Sequence, residues 1–424
     1  MNPLNRRHIL KSGAAATIAA GIPHIAKAQN IPDKIKIGLI GCGGRGNGAV
    51  VQALSADPNV VLWAVGDAFG QGVVNAMKTV ERFGKQVEVS PERRFVGLEA
   101  YQSVIDSGVD LVILTTPPGF RPQHFRAAVA AGKHCFIEKP MAVDMAGLKS
   151  VVESVKMAKS KNLAIQNGFC WRYHPGTREA YAKVLSGEFG KVRSIYGTYL
   201  ANPVKPLSGG QPDGMPDVEW QLRNWFNFEW LSSGPLVEQC IHTVDKVGWA
   251  MGDVAPIAAV ANGGRALKTD ASNIYDHYNV AYEYPNGVTA HVGQRHFVGC
   301  HSEVKDRVVC ESGTVIAPGR CSAMDLSGKT IWRSRAEKGQ EQNMYQVCHN
   351  ELFAALRKGE IPDNGDHMVK STALGILGRE AAHSGQRITW DQLWESNNDL
   401  APDDLAMDGA FPVTPPPVAG KYKI

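Results

Sequence analysis

The sequence predicts an α/β protein, in which an N-terminal doubly wound parallel sheet is followed by an α+β domain with a large, mostly antiparallel open sheet. Three observations predict it. Apolar strands alternate with helical segments between about residues 33 and 165, two-residue alternation then takes over, and helical spacing returns at 342–385.

The elements follow in order. Around Ile35 the chain reads KIKIGLIGCGGRGNGAVVQAL, an apolar strand running into glycines and then a helical pattern. A second strand, VVLWAVGD, ends on Asp67, and a third, DLVILTTPP, ends on Thr115, Thr116 and Pro117. The helix HFRAAVAAG and the strand KHCFIE complete the alternation that a parallel sheet requires. Beyond about residue 165, KVRSIYGTYLA, YDHYNVAYEYPNGVTAHVGQRHF and EVKDRVVCESGTVIAP alternate polar with aromatic or β-branched residues, and turn signals separate them. That pattern reads as antiparallel strands with one open face. The chain therefore divides into 33–165, a second domain at 166–341, helices at 342–390 that pack back near the first domain, and a Pro-rich arm at 391–424. The arm is expected to lie extended on a neighbour.

Composition narrows the function. With 44% hydrophobic and 20% charged residues the chain is an ordinary globular protein. Four of its 45 basic residues, Arg6, Arg7, Lys11 and Lys27, fall in residues 1–28, which hold no acid; the other 41 balance the 41 acids. Neutrality beyond residue 28 argues against a nucleic-acid or membrane-surface partner. The eight cysteines form no C-x-x-C pair, so buried free thiols are expected.

Residues 1–28 carry the paired Arg6 and Arg7, the apolar run Ala14–Ile22 and the small-residue site Ala26-Lys27-Ala28. The run is too short to span a bilayer. The layout is that of a twin-arginine export signal, an address for proteins that cross the membrane folded. It predicts a periplasmic mature chain whose partner is the twin-arginine export machinery.

Gly41, Gly43 and Gly46 form G-x-G-x-x-G in the context that gives it meaning, after a strand and into a helix. Such a turn lets the backbone approach a pyrophosphate, which the helix N-terminus then binds. Asp67, 26 residues after Gly41, is placed to accept from ribose hydroxyls, and Ala68, Phe69 and Gly70 offer no arginine for a 2′-phosphate. The cofactor expected is NAD. A chain that folds around NAD can only be exported folded, and it should keep its nucleotide through both halves of a redox cycle.

With IGCGGRG, Asp67, Thr115-Thr116-Pro117, His124, FIEKP, GFCWRYHPG and EQCIHTVD in order, the chain resembles the glucose–fructose oxidoreductase/inositol dehydrogenase (Gfo/Idh/MocA) family from about residue 33 to 390. The resemblance implies a Rossmann domain that holds NAD through Gly41, Gly43, Gly44, Arg45, Gly46, Asp67, Thr115, Thr116, Pro117, His124, Glu138 and Lys139. It implies that Lys139 reaches nicotinamide ribose and substrate, and that Glu238 and His242 complete the catalytic set. The family more often has aspartate where Glu238 stands. It also implies a homodimer or homotetramer formed through the open sheet face.

The residues themselves agree. Glu238 and His242 are four apart, so one helix face presents both, with Asp245 three further on. Oxidising an alcohol needs a base, and either His242 or Lys139 can serve. His242, Asp245, His296 and His301 lack metal-ligand spacing, and no metal is expected. Trp220, Trp225 and Trp230 with Arg223 and Asn224 suit the apolar face and polar rim of a sugar; packing of a loop or subunit interface is the alternative. Trp171, Arg172 and Tyr173, followed by His174, stand where the resemblance implies further substrate contacts. Asp276, His277 and His296 are secondary candidates. The expected activity is oxidation of a sugar or glycoside ring hydroxyl with internally recycled NAD. Redox-neutral glycoside hydrolysis through a 3-keto intermediate is the alternative.

Overall fold

The computed structural model describes residues 32–402 and 404–424, with the backbone of a two-residue strand, β1 (Ala26–Lys27), which pairs antiparallel with Glu360–Ile361. The paired arginines and apolar run of the expected signal lie outside the described residues.

The first sheet contains β2 (Ile35–Ile40), β3 (Val60–Asp67), β4 (Arg94–Val96), β5 (Leu111–Leu114), β6 (His134–Ile137) and β7 (Ile165–Asn167). All pairs are parallel, in the order β4-β3-β2-β5-β6-β7. Its central strands are buried on both faces, which is why they read as unbroken apolar runs. Helices α1 (Gly44–Ala56) and α2 (Gly70–Val80) cover one face, and α3 (Ala100–Asp106), α4 (Arg121–Ala130) and α5 (Met145–Ser160) the other. Strand order reverses between β2 and β5, so a crevice opens beyond their carboxyl ends.

After α6 (Pro175–Leu185) and β8 (Val192–Ala201) come four helices: α7 (Asp217–Arg223), α8 (Glu229–Ser232), α9 (Gly234–Glu238) and α10 (Ile241–Ala250). Next are β9 (Ala258–Gly264), β10 (His277–Glu283), β11 (Thr289–His296), β12 (Glu303–Cys310), β13 (Gly313–Ala317), β14 (Ser322–Asp325) and β15 (Thr330–Arg333). The chain closes with α11 (Met344–Arg357), β16 (Glu360–Ile361), α12 (Gly365–Ser384), β17 (Ile388–Thr389) and α13 (Trp390–Glu395). The second sheet runs β15-β14-β13-β12-β8-β11-β10-β9-β17, with β8–β11 its parallel pair. Helices α6, α10 and α12 pack on one face. The other leaves Tyr196, Asn279 and His291 exposed. The alternation in the sequence is this inside–outside pleat.

Helix α11 lies on α1, and the 20-residue α12 packs on α5 as well as on α10, β9 and β10. Almost every residue of α12 is buried, so it is shared core between the two domains. The arm differs from its expectation. It lies on its own chain, where Leu400 N donates to Asp144 Oδ2 (2.9 Å), Asn273 Nδ2 to Thr414 Oγ1 (3.1 Å) and Tyr275 Oη to the Pro417 carbonyl (2.8 Å). The reason is its own apolar residues, Leu400, Leu405, Met407, Phe411 and Val413, which pack against Trp220, Phe228 and Trp230. Seven cysteines are buried thiols and Cys300 is exposed.

Candidate active site

The three motif glycines have three separate jobs. Gly41 sits at φ +93°, and a Cβ there would strike the backbone of Thr115 and Thr116. A Cβ on Gly46 would collide with the Gly41 carbonyl oxygen, so its bareness lets α1 approach the strand end. Above Gly43 and Gly44 there is open space instead. Helix α1 begins there with no side-chain cap and no acid in its first turn, leaving its amides and positive dipole end facing the crevice. This is the cradle a pyrophosphate fits.

The crevice is a cavity of about 600 Å³. Gly41, Gly43, Gly44, Arg45, Asp67, Thr115, Thr116, Pro117 and His124 all line it, as the resemblance implies. Asp67 ends β3 and is oriented by the amides of Cys42 (2.6 Å) and Phe69 (2.8 Å), one on each carboxylate oxygen. Each oxygen keeps a lone pair for a ribose hydroxyl. Thr115 Oγ1 donates to the Gly41 carbonyl (2.6 Å), tying β5 to the glycine turn. His124 stacks on Tyr101 at 4.2 Å, with Thr116 Oγ1 3.2 Å from its Nδ1. Burial, aided by the Arg121 charge, pushes its pKa down to about 3, so its ring is neutral. NAD fits these residues.

Lys139, Glu238 and His242 lie outside that cavity's lining. Lys139 Nζ is 2.8 Å from Glu238 Oε1 and also donates to the Glu238 carbonyl. Glu138 accepts from the Lys139 amide (3.3 Å) but its ion-pair partner is Arg45, whose Nε is 3.1 Å from the buried Oε1. Arg45 in turn stacks over Tyr345 of α11 at 4.6 Å. An ion pair thus links the glycine turn to the strand end that carries Lys139.

The expectation that one helix face presents Glu238 and His242 needs correction. Helix α9 ends at Glu238 and α10 starts at Ile241, because the Cys240 amide reaches back five residues to the Pro235 carbonyl. This wide turn gives Glu238 and His242 independent orientations, a device common at functional sites. His242 Nδ1 is fully buried without a partner. Burial first, then the charges of Lys139 and Lys246, hold its pKa well below the ordinary histidine value. Its imidazole is therefore neutral and able to take a proton.

The substrate candidates separate. Arg172 and Asp245 face one another: Arg172 Nε donates to both Asp245 oxygens (3.0 and 3.2 Å), Nη2 to Asp253 (2.6 Å), and Ser371 Oγ to Asp245 (2.6 Å). Asp245 is buried, so this is an internal brace of α10 against the turn at 170–173 and α12. Tyr173 is buried as well, its hydroxyl donating to Asn364 Oδ1 (2.7 Å). Trp171 is half-buried, with Lys246 Nζ 5.5 Å from its ring. Arg223 and Trp225 line the dinucleotide crevice itself, where Arg223 stacks over Phe69 at 4.3 Å. Trp220 and Trp230 are buried in the cluster under the arm. Asp276 accepts from the amides of Ala266, Leu267 and Lys268 and from His277, which makes it a loop anchor.

Sequence reading missed Phe69, Leu98, Tyr101, Phe120, Lys205 and Leu222, which also line the crevice. It missed Tyr199 too, whose pKa burial and the nearby Cys240 and Glu238 push up to about 12. Gln294, beside Tyr199 in register, is buried with neither amide atom paired, and so is His296 Nε2. The available signal was a polar residue at an inward position of an alternating strand. Among the described residues no group of His, Cys, Asp and Glu is placed to hold a metal ion.

Comparison with known proteins agrees with this geometry. Residues 35–169 match the oxidoreductase family with an NAD-binding Rossmann fold, and residues 177–316 match the GFO/IDH/MocA C-terminal domain. The chain is 26% identical to inositol 2-dehydrogenase of Acidiphilium cryptum over 286 residues, 67% of this chain and 74% of that one. It is 27% identical to levoglucosan dehydrogenase of Pseudarthrobacter phenanthrenivorans over 235 residues, 53% of each. In fold it resembles aldose–aldose oxidoreductase from Caulobacter crescentus, with a TM-score of 0.64, 21% identity, and 84% and 99% of the two chains covered. The glycine cradle, the acid at the end of β3 and the Lys139–Glu238–His242 grouping are thus carried by a member of the Gfo/Idh/MocA family of NAD-binding oxidoreductases.

Proposed function

We propose that this protein is an NAD-dependent oxidoreductase that acts on a ring hydroxyl of a sugar or glycoside and retains its nucleotide throughout. The observation that carries the reading is the Lys139–Glu238 ion pair, with His242 near enough to feel the Lys139 charge, at the strand end that the Arg45–Glu138 pair ties to the glycine turn of a crevice that fits NAD. The similarity to inositol and levoglucosan dehydrogenases supports the substrate class.

Bound NAD supplies a hydride acceptor and, once reduced, a donor for a second carbonyl. The chain's own residues do the rest. The amides of the α1 N-terminus and Asp67 hold the dinucleotide. Lys139, fixed by Glu238, donates to the substrate oxygen and orients it. His242 takes the hydroxyl proton at the ring nitrogen that is not buried, and returns it when a carbonyl is reduced.

Retention of the cofactor suits a chain that is exported folded through the twin-arginine route and works in the periplasm as a homo-oligomer packed through its open sheet face. A second reading has its own support: similarity to a glycosyl hydrolase family 109 protein of Shewanella sp. strain ANA-3, 28% identical over 187 residues, 39% of this chain and 40% of that one. On that reading NAD is reset within each turnover.

The test is to desalt the mature protein, release nucleotide in acid and in alkali, and count it before offering polyols, glycosides and paired carbonyl acceptors without added NAD. About one nucleotide per chain and acceptor-dependent oxidation support the first reading. Aryl-glycoside cleavage without an acceptor supports the second. An empty protein that works only with added NAD overturns retention.

A further inference from the structure

The crevice has a roof from the second domain. Leu222, Arg223 and Trp225 line it together with Asp67, Phe69, Leu98 and Tyr101, the end where the ribose next to adenine would lie. The roof touches the floor there, with the Arg223 guanidinium stacked on Phe69 at 4.3 Å and held by Glu219 Oε1 at 2.6 Å. It is not a free flap. The Val218 amide donates to the Gly409 carbonyl (3.3 Å), the Phe411 amide to Asp217 Oδ2 (2.9 Å), and Gln221 Nε2 to the Phe411 carbonyl. Gln221 Oε1 accepts in turn from Trp230 Nε1 (2.7 Å), and Trp230 packs edge-on against both Phe411 (5.5 Å) and Phe120 (6.1 Å).

Helix α7 has only seven residues and no side-chain cap, too short to hold its place alone. Its apolar residues, Val218, Trp220 and Leu222, are buried in a small cluster separate from both main cores, completed by Leu400, Leu405, Met407, Phe411 and Val413 of the arm. The arm is anchored elsewhere at Asp144, Asn273 and Tyr275. Lifting the roof therefore means breaking this cluster.

We infer that the C-terminal arm is a cofactor latch, which holds α7 and Trp225 closed over the adenosine half of NAD so that nucleotide leaves only when the arm detaches. The inference deepens the retained-NAD reading, on which it rests, by naming what does the retaining. The latch acts on the nucleotide and makes no contact with Lys139, Glu238 or His242, so it sets exchange and leaves proton transfer alone.

The test is the rate at which labelled NAD exchanges into the nucleotide-loaded protein, compared for the wild type, Phe411→Ala and Trp225→Ala, with ADP-ribose as a second ligand. Phe411→Ala loosens the latch, whereas Trp225→Ala opens the roof without touching the arm's anchors. Each should speed exchange about 10- to 100-fold, the worth of one partly buried aromatic. ADP-ribose, which lacks the nicotinamide, should be released faster by a similar factor. If Phe411→Ala does not fold, Phe411→Leu, which keeps most of the burial, should still exchange faster than wild type. Exchange that is equally slow in all variants, or as fast in wild type as in the variants, overturns the latch. Sugar oxidation by the wild type in either case would show that the functional reading survives without it.

Discussion

Lys139 and Glu238, 99 residues apart in the chain, form an ion pair of 2.8 Å between the end of the first sheet and the end of α9. The pair joins the first domain to the second, and on the proposed reading the reacting alcohol sits beside it. Its geometry makes Glu238 a positioning residue for Lys139. Glu238→Gln keeps the carbonyl contact and loses the charge, so kcat should fall about 10- to 100-fold, while Lys139→Met should cost about 10²- to 10⁴-fold. Both side chains are slightly accessible, and melting temperatures should move by only a few degrees. Steady-state kinetics with thermal unfolding separates the two effects; a large fall in melting temperature with unchanged kcat would reassign the pair to the scaffold.

His242 makes a pH prediction. A base must be unprotonated, and burial together with the Lys139 and Lys246 charges disfavours its protonated form. Its pKa lies well below 6.5, so the acid limb of kcat/KM should lie below pH 6.5 and the profile should be flat from there to neutrality. His242→Asn should lose about 10²- to 10⁴-fold in kcat and the limb with it. A limb at or above pH 6.5 that survives His242→Asn would assign the base elsewhere.

Asp245 should behave as a structural residue. It is buried, bonded to Arg172 and Ser371, and burial raises its pKa while the Arg172 charge pulls it back. Removing it leaves Arg172 with Asp253 alone, so Asp245→Ala should cost about 3 kcal/mol. Urea unfolding measures the loss, and the surviving folded enzyme should keep its KM. A raised KM with wild-type stability would return Asp245 to the substrate site.

The glycines should split by role. Gly46→Ala drives a methyl group into the Gly41 carbonyl and should prevent stable folding. Gly43→Ala meets nothing in the protein, and its φ of −74° suits alanine, so the chain should fold and lose nucleotide affinity. Circular dichroism and calorimetric titration with ADP-ribose on the two variants decide this. Equal affinity in Gly43→Ala would mean that no pyrophosphate approaches there.

The outcome for each element follows from how local its cause is. The Rossmann sheet was legible because buried parallel strands, glycine turn and terminal acid are all written within about 30 residues of chain. The inward face of the second sheet was legible through its period of two. The break between Glu238 and His242 was not, because the wide turn at Gln239–Cys240 interrupts the helical count without changing residue type. Arg223 and Trp225, read as substrate residues, line the dinucleotide crevice, where the same composition suits an adenosine as well as a sugar.

By itself, then, the sequence determined the order of a parallel sheet followed by a mostly antiparallel one and the dinucleotide cradle, since each depends on short-range pattern, while Lys139, Glu238 and His242 were singled out through the family resemblance. Tertiary structure alone decided the pairing partners: Lys139 with Glu238 and not Glu138, Arg172 with Asp245, and α7 with the C-terminal arm. Those choices depend on which charges and apolar faces meet across long loops, and residue spacing carries no record of that.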